Sequence, residues 1–330
     1  MTTSVKSVVI NKDDQGSHAE YTDFPVENIH QHDVNIDVDY STLNYKDALA
    51  ITGKGPVVRT FPMIPGIDLA GTVSESNSDE FKVGDKVLLN GFGVGEKYLG
   101  GLSEKASMSS DWLIPLPANL TPKQAMQIGT AGYTAMLSII ALEKQGITPQ
   151  SGEVLVTGGN GGVGSFAIYL LNKLGFDVVA TTGRMNEAQH LEKLGAKRVL
   201  SRDEFSSPGK PLAKEQFAGA IDSVGSHTLA NVCASIKYGG VVTACGLAQG
   251  MDFPATVAPF ILRGISLMGI DSVMRPKEDR IEAWQRLSEL VETQYLDTIS
   301  QEIPLSQAIA NAEALLKGEI RGRVVVNCKE

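Results

Sequence analysis

The sequence predicts an α/β protein with a β-rich lobe at its amino end and a doubly wound parallel sheet in much of the remainder. Three observations lead to this prediction. Short β-rich runs dominate up to about Pro117, strands and helices alternate beyond Ser151, and a last β-rich run lies near the carboxyl end. A chain of 330 residues is long enough for two hydrophobic cores, so we expect two domains.

Composition and charge limit the classes to which this protein can belong. Lys and Arg number 29 and Asp and Glu 38, and the formal charge of -9 disfavours nucleic acid and anionic membranes as partners. With 42% hydrophobic and 20% charged residues, the chain can bury a large core and is not expected to be disordered. Cys233, Cys245 and Cys328 are far apart, which predicts a reducing compartment with neither a disulfide framework nor a cysteine zinc site.

Nothing in the sequence predicts export or membrane insertion. Residues 1–11 lack the apolar core and the cleavage site of a secretory signal. The most apolar stretches, 135–142 and 165–171, are shorter than the roughly 20 residues of a membrane span. We therefore expect a cytoplasmic protein with no membrane partner.

Four short runs predict the strands of the amino lobe. Residues 34–40 alternate apolar and polar side chains, which is the period of a half-buried strand. The other runs are 7–10, 69–73 and 86–89. After them, Thr121 and Pro122 offer a helix cap and a first helical residue, and the apolar pattern beyond them predicts one or two helices that end by Gly146.

Beyond these helices, the alternation of strand and helix predicts a parallel doubly wound sheet. The six candidate strands are 154–157, 178–181, 198–200, 218–221, 241–244 and 265–268. The candidate helices are 163–174, 187–194, 229–236, 278–293 and 305–317. A final run, 324–326, lies outside the six-strand count, and we expect it to return to the first lobe.

A glycine-rich segment follows the first strand of this sheet and contains G-x-G-x-x-G at Gly159, Gly161 and Gly164. Glycines between a strand and a helix permit a sharp turn and the close approach of a pyrophosphate to the free helix amides. The segment therefore predicts a dinucleotide site, with a purely structural glycine turn as the alternative. The predicted binding residues are Asn160, Gly161, Gly162, Val163, Gly164 and Ser165. A P-loop is excluded because Ser165, not Lys, follows the last glycine.

The end of the second strand favours NADPH over NADH. An NAD site usually has an acidic residue about 20 positions after the glycines, and this place reads Thr181-Thr182-Gly183-Arg184. The Arg184 guanidinium can bind a 2′-phosphate, so we predict that Thr182, Gly183 and Arg184 bind NADPH; the alternative is that Arg184 caps the next helix or is solvated. Arg202, after the third strand, is a second candidate cation at the adenosine end, with a solvated turn as its alternative.

Several motifs together resemble the medium-chain dehydrogenase/reductase superfamily. They are STLNYKD at 41–47, IPGIDLAGTV at 64–73, GTAGYTA at 129–135, GGNGGVGS at 158–165, CGLA at 245–248 and PFILR at 259–263. The chain looks like the quinone oxidoreductase branch, and within it the acrylyl-CoA reductase and YhdH/YhfP-type subgroup. The resemblance implies a GroES-like catalytic domain, formed by residues 1–125 and completed by 273–330, and a Rossmann NADPH-binding domain of residues 126–272.

The resemblance also implies that zinc is absent. In the zinc alcohol dehydrogenases of the superfamily a cysteine, a histidine and a second cysteine bind the metal, and the matching places here are Asn44, Ile67 and Gln127, none of which is a normal zinc ligand. The pair His30 and His32 is better explained by a polar turn. Chemistry without a metal electrophile suits an activated acceptor, either a quinone or the C=C of an α,β-unsaturated carbonyl or thioester such as acrylyl-CoA.

The same resemblance places the candidate catalytic residues Asn44 and Tyr45 beside the nicotinamide, where they would donate to a developing enolate oxygen. Alternatively, Tyr45 stacks on the cofactor or belongs to the core. Asp47 is expected to order the same loop, and Asp68 to be a structural acceptor and not a base; solvent would protonate the α-carbon. Further cofactor contacts are expected at Gly246, Leu247, Ile261 and Ser272, each with packing as the alternative.

The leading hypothesis is therefore an NADPH-dependent quinone or enoyl-CoA reductase, and the alternative is a non-catalytic NADPH-binding structural or sensory protein. Lys54, Arg59 and Lys105 are candidate cations for a CoA moiety, or simply solvated. The strand at 265–270 is a likely sheet edge, and in this family such an edge pairs with its copy, which predicts a homodimer.

Overall fold

The computed structural model describes residues 3–330. The strands are β1 (Ser4–Asp13), β2 (Gly16–Pro25), β3 (Val34–Leu43), β4 (Asp68–Ser76), β5 (Lys86–Asn90), β6 (Lys105–Met108), β7 (Ile114–Pro115), β8 (Val154–Val156), β9 (Val178–Thr182), β10 (Ala196–Ser201), β11 (Phe217–Asp222), β12 (Ile236–Ala244), β13 (Ser266–Gly269), β14 (Ser300–Pro304) and β15 (Arg323–Asn327). The helices are α1 (Tyr45–Ile51), α2 (Pro122–Lys144), α3 (Gly162–Lys173), α4 (Ala188–Leu194), α5 (Ser226–Ser235), α6 (Ala258–Arg263), α7 (Lys277–Leu290), α8 (Thr293–Ile299) and α9 (Ala308–Leu316).

The chain divides into two compact units. One unit runs up to Thr130 and resumes at Ser272, and the other is Ala131–Asp271. The chain thus leaves the first unit once and returns to it once. Strands β8 to β13 lie in the second unit, and the remaining strands lie in the first.

The first unit is built on a seven-stranded sheet in the order β14-β15-β3-β4-β5-β7, with β6 paired to β3, and on the separate hairpin β1-β2. Val34, Ile36 and Val38 of β3 are fully buried, as their alternation with polar residues predicts. The last strand, β15, pairs antiparallel with β3, so that Val324 lies opposite Leu43. The carboxyl-terminal segment is therefore part of the sheet that carries residues 34–43.

The second unit contains a six-stranded sheet in the order β10-β9-β8-β11-β12-β13, in which all neighbouring strands are parallel. Its core includes Leu155, Val179 and Val242, one from each of three strands. All six strands that the sequence predicts are present. The strand order reverses between β8 and β11, and ligands of doubly wound sheets bind at the carboxyl ends of such strands.

Helix α2 consists of two helical stretches joined at Gly129, whose backbone is not helical (φ 51°, ψ -162°). The sequence predicts one or two helices here, and two are found. By length and composition α2 could cross a membrane. This is not predicted from the sequence, because the most apolar stretches considered there are shorter than a membrane span. However, 94% of its most apolar window is buried inside the structure, as in the core helix of a soluble protein.

Candidate functional site

The glycine loop of the second unit has no room for side chains at its critical position. An ideal Cβ on Gly164 would lie 2.3 Å from the carbonyl oxygen of Gly158, and one on Gly159 would lie 3.0 Å from Leu191. Helix α3 begins at Gly162, and its cap residue, Gly161, makes no side-chain hydrogen bond to the first amides. The loop therefore fits a pyrophosphate, which the free amides and the helix dipole can bind.

Three of the residues predicted to bind the cofactor meet at the ends of β8 and β9. Oδ1 of Asn160 accepts a hydrogen bond from the hydroxyl of Thr182. The same hydroxyl accepts a hydrogen bond from the backbone N–H of Arg184 at 2.9 Å. Asn160 in the glycine loop and Arg184 beyond the second strand are thus joined through Thr182.

Gly183 and Arg202 also lie together. The Arg202 guanidinium carbon is 2.7 Å from the position that a Cβ on Gly183 would occupy. A side chain at position 183 would have to displace the Arg202 side chain, which is 69% exposed. Two cationic residues, Arg184 in the sequence and Arg202 in space, therefore adjoin Gly183 at the end of β9.

Glu187 is an acidic residue at this strand end that the sequence does not single out. Its Oε1 is 3.5 Å from Nη1 of Arg184, and its Oε2 accepts a hydrogen bond from Nδ2 of Asn160 at 2.7 Å. The prediction from the sequence rests on residues 181–184 and does not include the turn after Arg184. The sequence contains a signal that could have identified Glu187. This residue lies three positions after Arg184, and residues at this spacing share a face of a helix.

Asp222, at the carboxyl end of β11, is a second residue that the sequence does not single out. Its carboxylate accepts hydrogen bonds from the hydroxyl of Thr157 at 2.7 Å and from the N–H groups of Gly225 and Val224 at 2.8 and 3.2 Å. Burial raises the pKa of Asp222, and these hydrogen bonds oppose that rise. Asp222 thus joins the start of the glycine loop to the loop after β11.

The remaining predicted contacts of the second unit lie nearby or on its surface. A Cβ on Gly246 would be 2.3 Å from the carbonyl oxygen of Ser223, so this close approach requires glycine. Leu247 is 57% exposed and Ile261, on α6, is 72% exposed. Packing in the core therefore does not account for either residue.

Asn44 and Tyr45 lie at the start of α1 in the first unit. Asn44 is the cap of the helix, and its backbone N–H donates to Oδ2 of Asp47 at 2.8 Å. The other carboxylate oxygen of Asp47 accepts from the N–H of Ile67 at 3.0 Å. Asp47 therefore orders this loop, as expected, while Tyr45 remains 60% exposed.

The side-chain amide of Asn44 is fully engaged within the protein. Its Nδ2 donates to Oδ2 of Asp68 and to the hydroxyl of Thr42, both at 2.8 Å. Its Oδ1 accepts from Nη1 of Arg323 at 3.0 Å. Both amide hydrogens thus have acceptors inside the protein, which favours a positioning role for Asn44.

Asp68 is a structural acceptor, in agreement with the expectation from the sequence. Besides Asn44, Nδ2 of Asn90 donates to it at 2.7 Å, and Thr130 donates from its backbone N–H and its hydroxyl at 3.0 and 2.5 Å. The adjoining Gly129 has no space for a side chain, because its Cβ would lie 2.4 Å from Nη2 of Arg323. A buried polar network therefore holds the segment at which the chain leaves the first unit.

The same network reaches the segment at which the chain returns. Asn90 accepts a hydrogen bond from Nη1 of Arg280 at its carbonyl oxygen, at 2.6 Å. The other terminal nitrogen of Arg280 donates to the carbonyl oxygens of Val273 at 2.7 Å and Ser272 at 3.3 Å. Ser272, a predicted cofactor contact, is thus anchored by its backbone.

Two buried ionisable groups of the network, Asp47 and Arg323, have shifted pKa values. Burial, with a smaller contribution from the charge of Asp68, raises the pKa of Asp47 to about 6. Burial lowers the pKa of Arg323, and the neighbouring Asp68 and Asp47 oppose that change.

The residues at the places of the zinc ligands do not form a zinc site. Ile67 has no donor atom, and Nε2 of Gln127 donates to the hydroxyl of Ser300 at 2.7 Å. Within residues 3–330 there is no group of three or more His, Cys, Asp or Glu side chains that could hold a metal. His32 packs edge-on against Trp112, with ring centroids 4.9 Å apart. The donor set therefore does not fit zinc.

Comparison with known proteins identifies both units. Residues 30–118 match the family model for the alcohol dehydrogenase GroES-like domain, and residues 162–292 match the model for zinc-binding dehydrogenases. The chain is 54% identical over 294 residues to the probable acrylyl-CoA reductase AcuI of Escherichia coli, which covers 89% of this chain and 90% of that protein. It is 46% identical to the putative quinone oxidoreductase YhfP of Bacillus subtilis, with 96% of each chain covered.

Solved structures give the same relationship. The YhdH oxidoreductase of Salmonella enterica, determined in complex with NADP, superposes with a TM-score of 0.96 at 50% identity and covers 98% of this chain and 99% of its own. YhfP with NAD bound superposes with a TM-score of 0.94 at 44% identity, covering 99% of this chain and 100% of its own. The chain therefore belongs to the medium-chain dehydrogenase/reductase superfamily, in the subgroup that contains AcuI, YhdH and YhfP.

Proposed function

We propose that this chain is an NADPH-dependent oxidoreductase that needs no zinc and reduces the C=C of an enoyl thioester of the acrylyl-CoA type, with quinones as a second class of acceptor. The observation that carries the proposal is the side-chain set at the zinc-ligand places, where Asn44 and Gln127 bond to other side chains and Ile67 is apolar. Without a metal electrophile, the acceptor must already be activated. The names of AcuI and YhfP supply these two acceptor classes.

NADPH, when bound, supplies the hydride, and the second unit supplies the groups to bind it. We propose that the amides at the start of α3 bind the pyrophosphate and that Arg184 and Arg202 bind the 2′-phosphate. Because the net charge is -9, the attraction for this polyanion must come from such local groups and not from the overall field.

Tyr45 is the residue that we propose to contact the acceptor. Addition of hydride at the β-carbon places negative charge on the thioester oxygen, and an exposed phenol can donate a hydrogen bond to that oxygen. Asn44 acts as a positioning residue, since its amide ties the start of α1 to Asp68 and Arg323. A proton from solvent at the α-carbon completes the reduction.

For a CoA moiety, we propose Lys54 and Arg59 as the cations of the first unit, because both are exposed. Lys105, the third candidate from the sequence, forms an ion pair with Asp37 and is a weaker candidate. Substitution of Lys54 and Arg59 by Ala should raise the KM for acrylyl-CoA and leave that for benzoquinone unchanged.

The deciding experiment compares acceptors. Oxidation of NADPH should be measured with acrylyl-CoA and with benzoquinone, on protein that has been treated with a chelator and analysed for metals. Turnover with acrylyl-CoA by the metal-free protein is the expected result. Binding of NADPH without turnover of either acceptor would instead support the non-catalytic, structural or sensory alternative.

We also propose a homodimer. Among residues 3–330, strand β13 is the last strand of its sheet and pairs on one side only, with β12. Leu262 and Val257, in and beside α6, are 63% and 67% exposed. An unpaired edge beside exposed apolar residues favours pairing with a second copy. Sedimentation equilibrium at micromolar concentration should give twice the chain mass, and a monomer would contradict the proposal.

The cytoplasm is the compartment that we propose. Cys233, Cys245 and Cys328 are all free cysteines. Burial raises the pKa of Cys233 and of Cys245 to about 12, so both are unreactive thiols at neutral pH. Free thiols without disulfides are typical of a reducing compartment.

A further inference from the structure

The carboxylate of Glu187 lies beside the cation that we propose for the 2′-phosphate. Its Oε1 is 3.5 Å from Nη1 of Arg184, and the Glu187 side chain is only 22% exposed. Its Oε2 accepts the hydrogen bond from Nδ2 of Asn160 at 2.7 Å. The Glu187 carboxylate therefore contacts both Arg184 and Asn160. An acidic and a basic side chain thus lie next to each other just beyond β9.

The surrounding hydrogen bonds fix this acid to the part of the domain that binds adenosine. Asn160 belongs to the glycine loop, and its Oδ1 accepts from Thr182 at the end of β9. In a doubly wound domain, the end of this strand faces the adenosine ribose. Glu187 thus lies among the groups that would surround the 2′-position of that ribose.

The two nicotinamide cofactors differ chemically only at that position. NADH carries a 2′-hydroxyl, which can donate a hydrogen bond to a carboxylate. NADPH carries a phosphate monoester, with a charge of about -1.5 to -2 near neutral pH, which attracts a guanidinium and repels a carboxylate. Arg184 and Glu187 therefore favour different cofactors from neighbouring places.

We propose that Glu187 is a specificity-determining residue that limits the preference of this chain for NADPH over NADH. The inference rests on the proposed role of Arg184 in binding the 2′-phosphate. When the phosphate binds, Arg184 exchanges a carboxylate partner for a phosphate, and Glu187 stays as a repulsive neighbour. When NADH binds, Glu187 accepts the hydrogen bond of the 2′-hydroxyl, so the same carboxylate weakens one cofactor and strengthens the other.

The test is the substitution Glu187→Gln, which keeps the size of the side chain and an acceptor for Asn160 but removes the charge. The Kd of NADPH should fall roughly three- to tenfold and that of NADH should rise by a similar factor, as expected for one partly exposed charge interaction. Both constants can be measured from the change in reduced-nicotinamide fluorescence on titration. Glu192→Gln, an exposed residue of α4, is the matched control and should change neither constant.

Two ligands that lack the nicotinamide, 2′,5′-ADP and 5′-ADP, show whether the change in affinity arises at the 2′-position. Glu187→Gln should tighten 2′,5′-ADP and weaken 5′-ADP, whereas a general loosening of the loop would weaken both. Glu187→Ala must also tighten NADPH. Equal changes for the two cofactors, or no change in a folded variant, would overturn the proposal, while failure of the unsubstituted protein to bind NADPH would overturn the proposed function instead.

Discussion

Nη1 of Arg323 donates to the side-chain oxygen of Asn44 at 3.0 Å, and this bond joins the last strand of the chain to the cap of α1. Both residues are buried. Asp68 lies on the other side of Asn44, with Oδ2 2.8 Å from its Nδ2. Asn44 is therefore a neutral amide that bridges a buried cation and a buried carboxylate.

Removal of the buried Arg323 guanidinium should lower the free energy of unfolding. Arg323→Met leaves Asp68 and Asp47 buried without their counter-charge, and breaking a buried pair in this way costs about 3–5 kcal/mol. Urea unfolding followed by circular dichroism should show this loss in the free energy of unfolding. Arg321→Met, two residues earlier and exposed, is the control and should change it by less than about 0.5 kcal/mol. Equal effects of the two substitutions would show that the buried charge contributes nothing.

Asp47 should give stability a distinct dependence on pH. Its pKa is about 6 in the folded protein and 3.8 in the reference state, so the folded state binds the proton more tightly between these values. The unfolded state then holds fewer protons, and this group lowers stability as the pH rises from about 4 to 6, by about 2–3 kcal/mol in total. The loss is complete above pH 6 and recovered on acidification.

The contribution can be isolated by difference. Asp47→Asn cannot titrate, so the free energy of unfolding of the natural protein minus that of the variant should fall between pH 4 and 6 and then level off. Other carboxylates affect both proteins and cancel. A flat difference across this range would show that the pKa of Asp47 is not raised.

Tyr45 should matter for turnover and not for stability. Because it is 60% exposed, Tyr45→Phe should change the free energy of unfolding by less than about 0.5 kcal/mol. Loss of a hydrogen bond to the developing oxyanion should lower kcat roughly 100-fold with acrylyl-CoA. Tyr45→Ala tests the alternative role of Tyr45, which is stacking on the cofactor. This substitution removes the ring, so it should weaken NADPH binding more than Tyr45→Phe does only if the ring stacks on the cofactor. Tyr238→Phe, at another exposed tyrosine, should leave kcat unchanged.

Asp222 should support both folding and cofactor binding. Asp222→Ala leaves the Thr157 hydroxyl and two N–H groups without an acceptor, which should cost about 2–4 kcal/mol of stability. Because Thr157 begins the glycine loop, NADPH should also bind more weakly. Thr157→Val removes the bond to Asp222 and the bond that the hydroxyl accepts from the N–H of Ser223, but it leaves the two N–H groups bonded to Asp222, so it should give a smaller loss of each kind. Asp252→Ala, at an exposed position, is the control, and normal NADPH binding by Asp222→Ala would contradict the role in the loop.

The sequence predicts the fold class because its signals are local. The alternation of strand and helix and the glycine loop specify the parallel sheet, and the fold class is confirmed by the matched family models and structures. The short helices α1 and α6 are not predicted, since each offers too few turns for a periodic pattern. The predicted helix at 278–293 ends at Leu290 in the structure, and α8 follows as a separate helix from Thr293.

The candidate site is predicted less completely, because its contacts join residues that are far apart in the chain. Asn44 and Arg323 are separated by 279 positions and Asp222 and Thr157 by 65, so no local pattern reveals that they are partners. Glu187 could have been found, since it lies three positions from Arg184. The roles of Tyr45 and of the cofactor contacts remain predictions.

Arg184 gives the most direct test of the cofactor site. Arg184→Ala removes the guanidinium that we propose to bind the 2′-phosphate and should raise the Kd of NADPH about 10- to 100-fold, as expected for a charge-assisted bond of about 1.5–3 kcal/mol. NADH lacks the phosphate, so its Kd should change by less than about threefold. Lys193→Ala, an exposed cation on α4, controls for the general loss of positive charge. Arg202 remains in the variant, and the double substitution with Arg202→Ala should weaken NADPH further, because both cations adjoin Gly183. Equal weakening of the two cofactors by Arg184→Ala would show that Arg184 supports the loop and does not bind the phosphate.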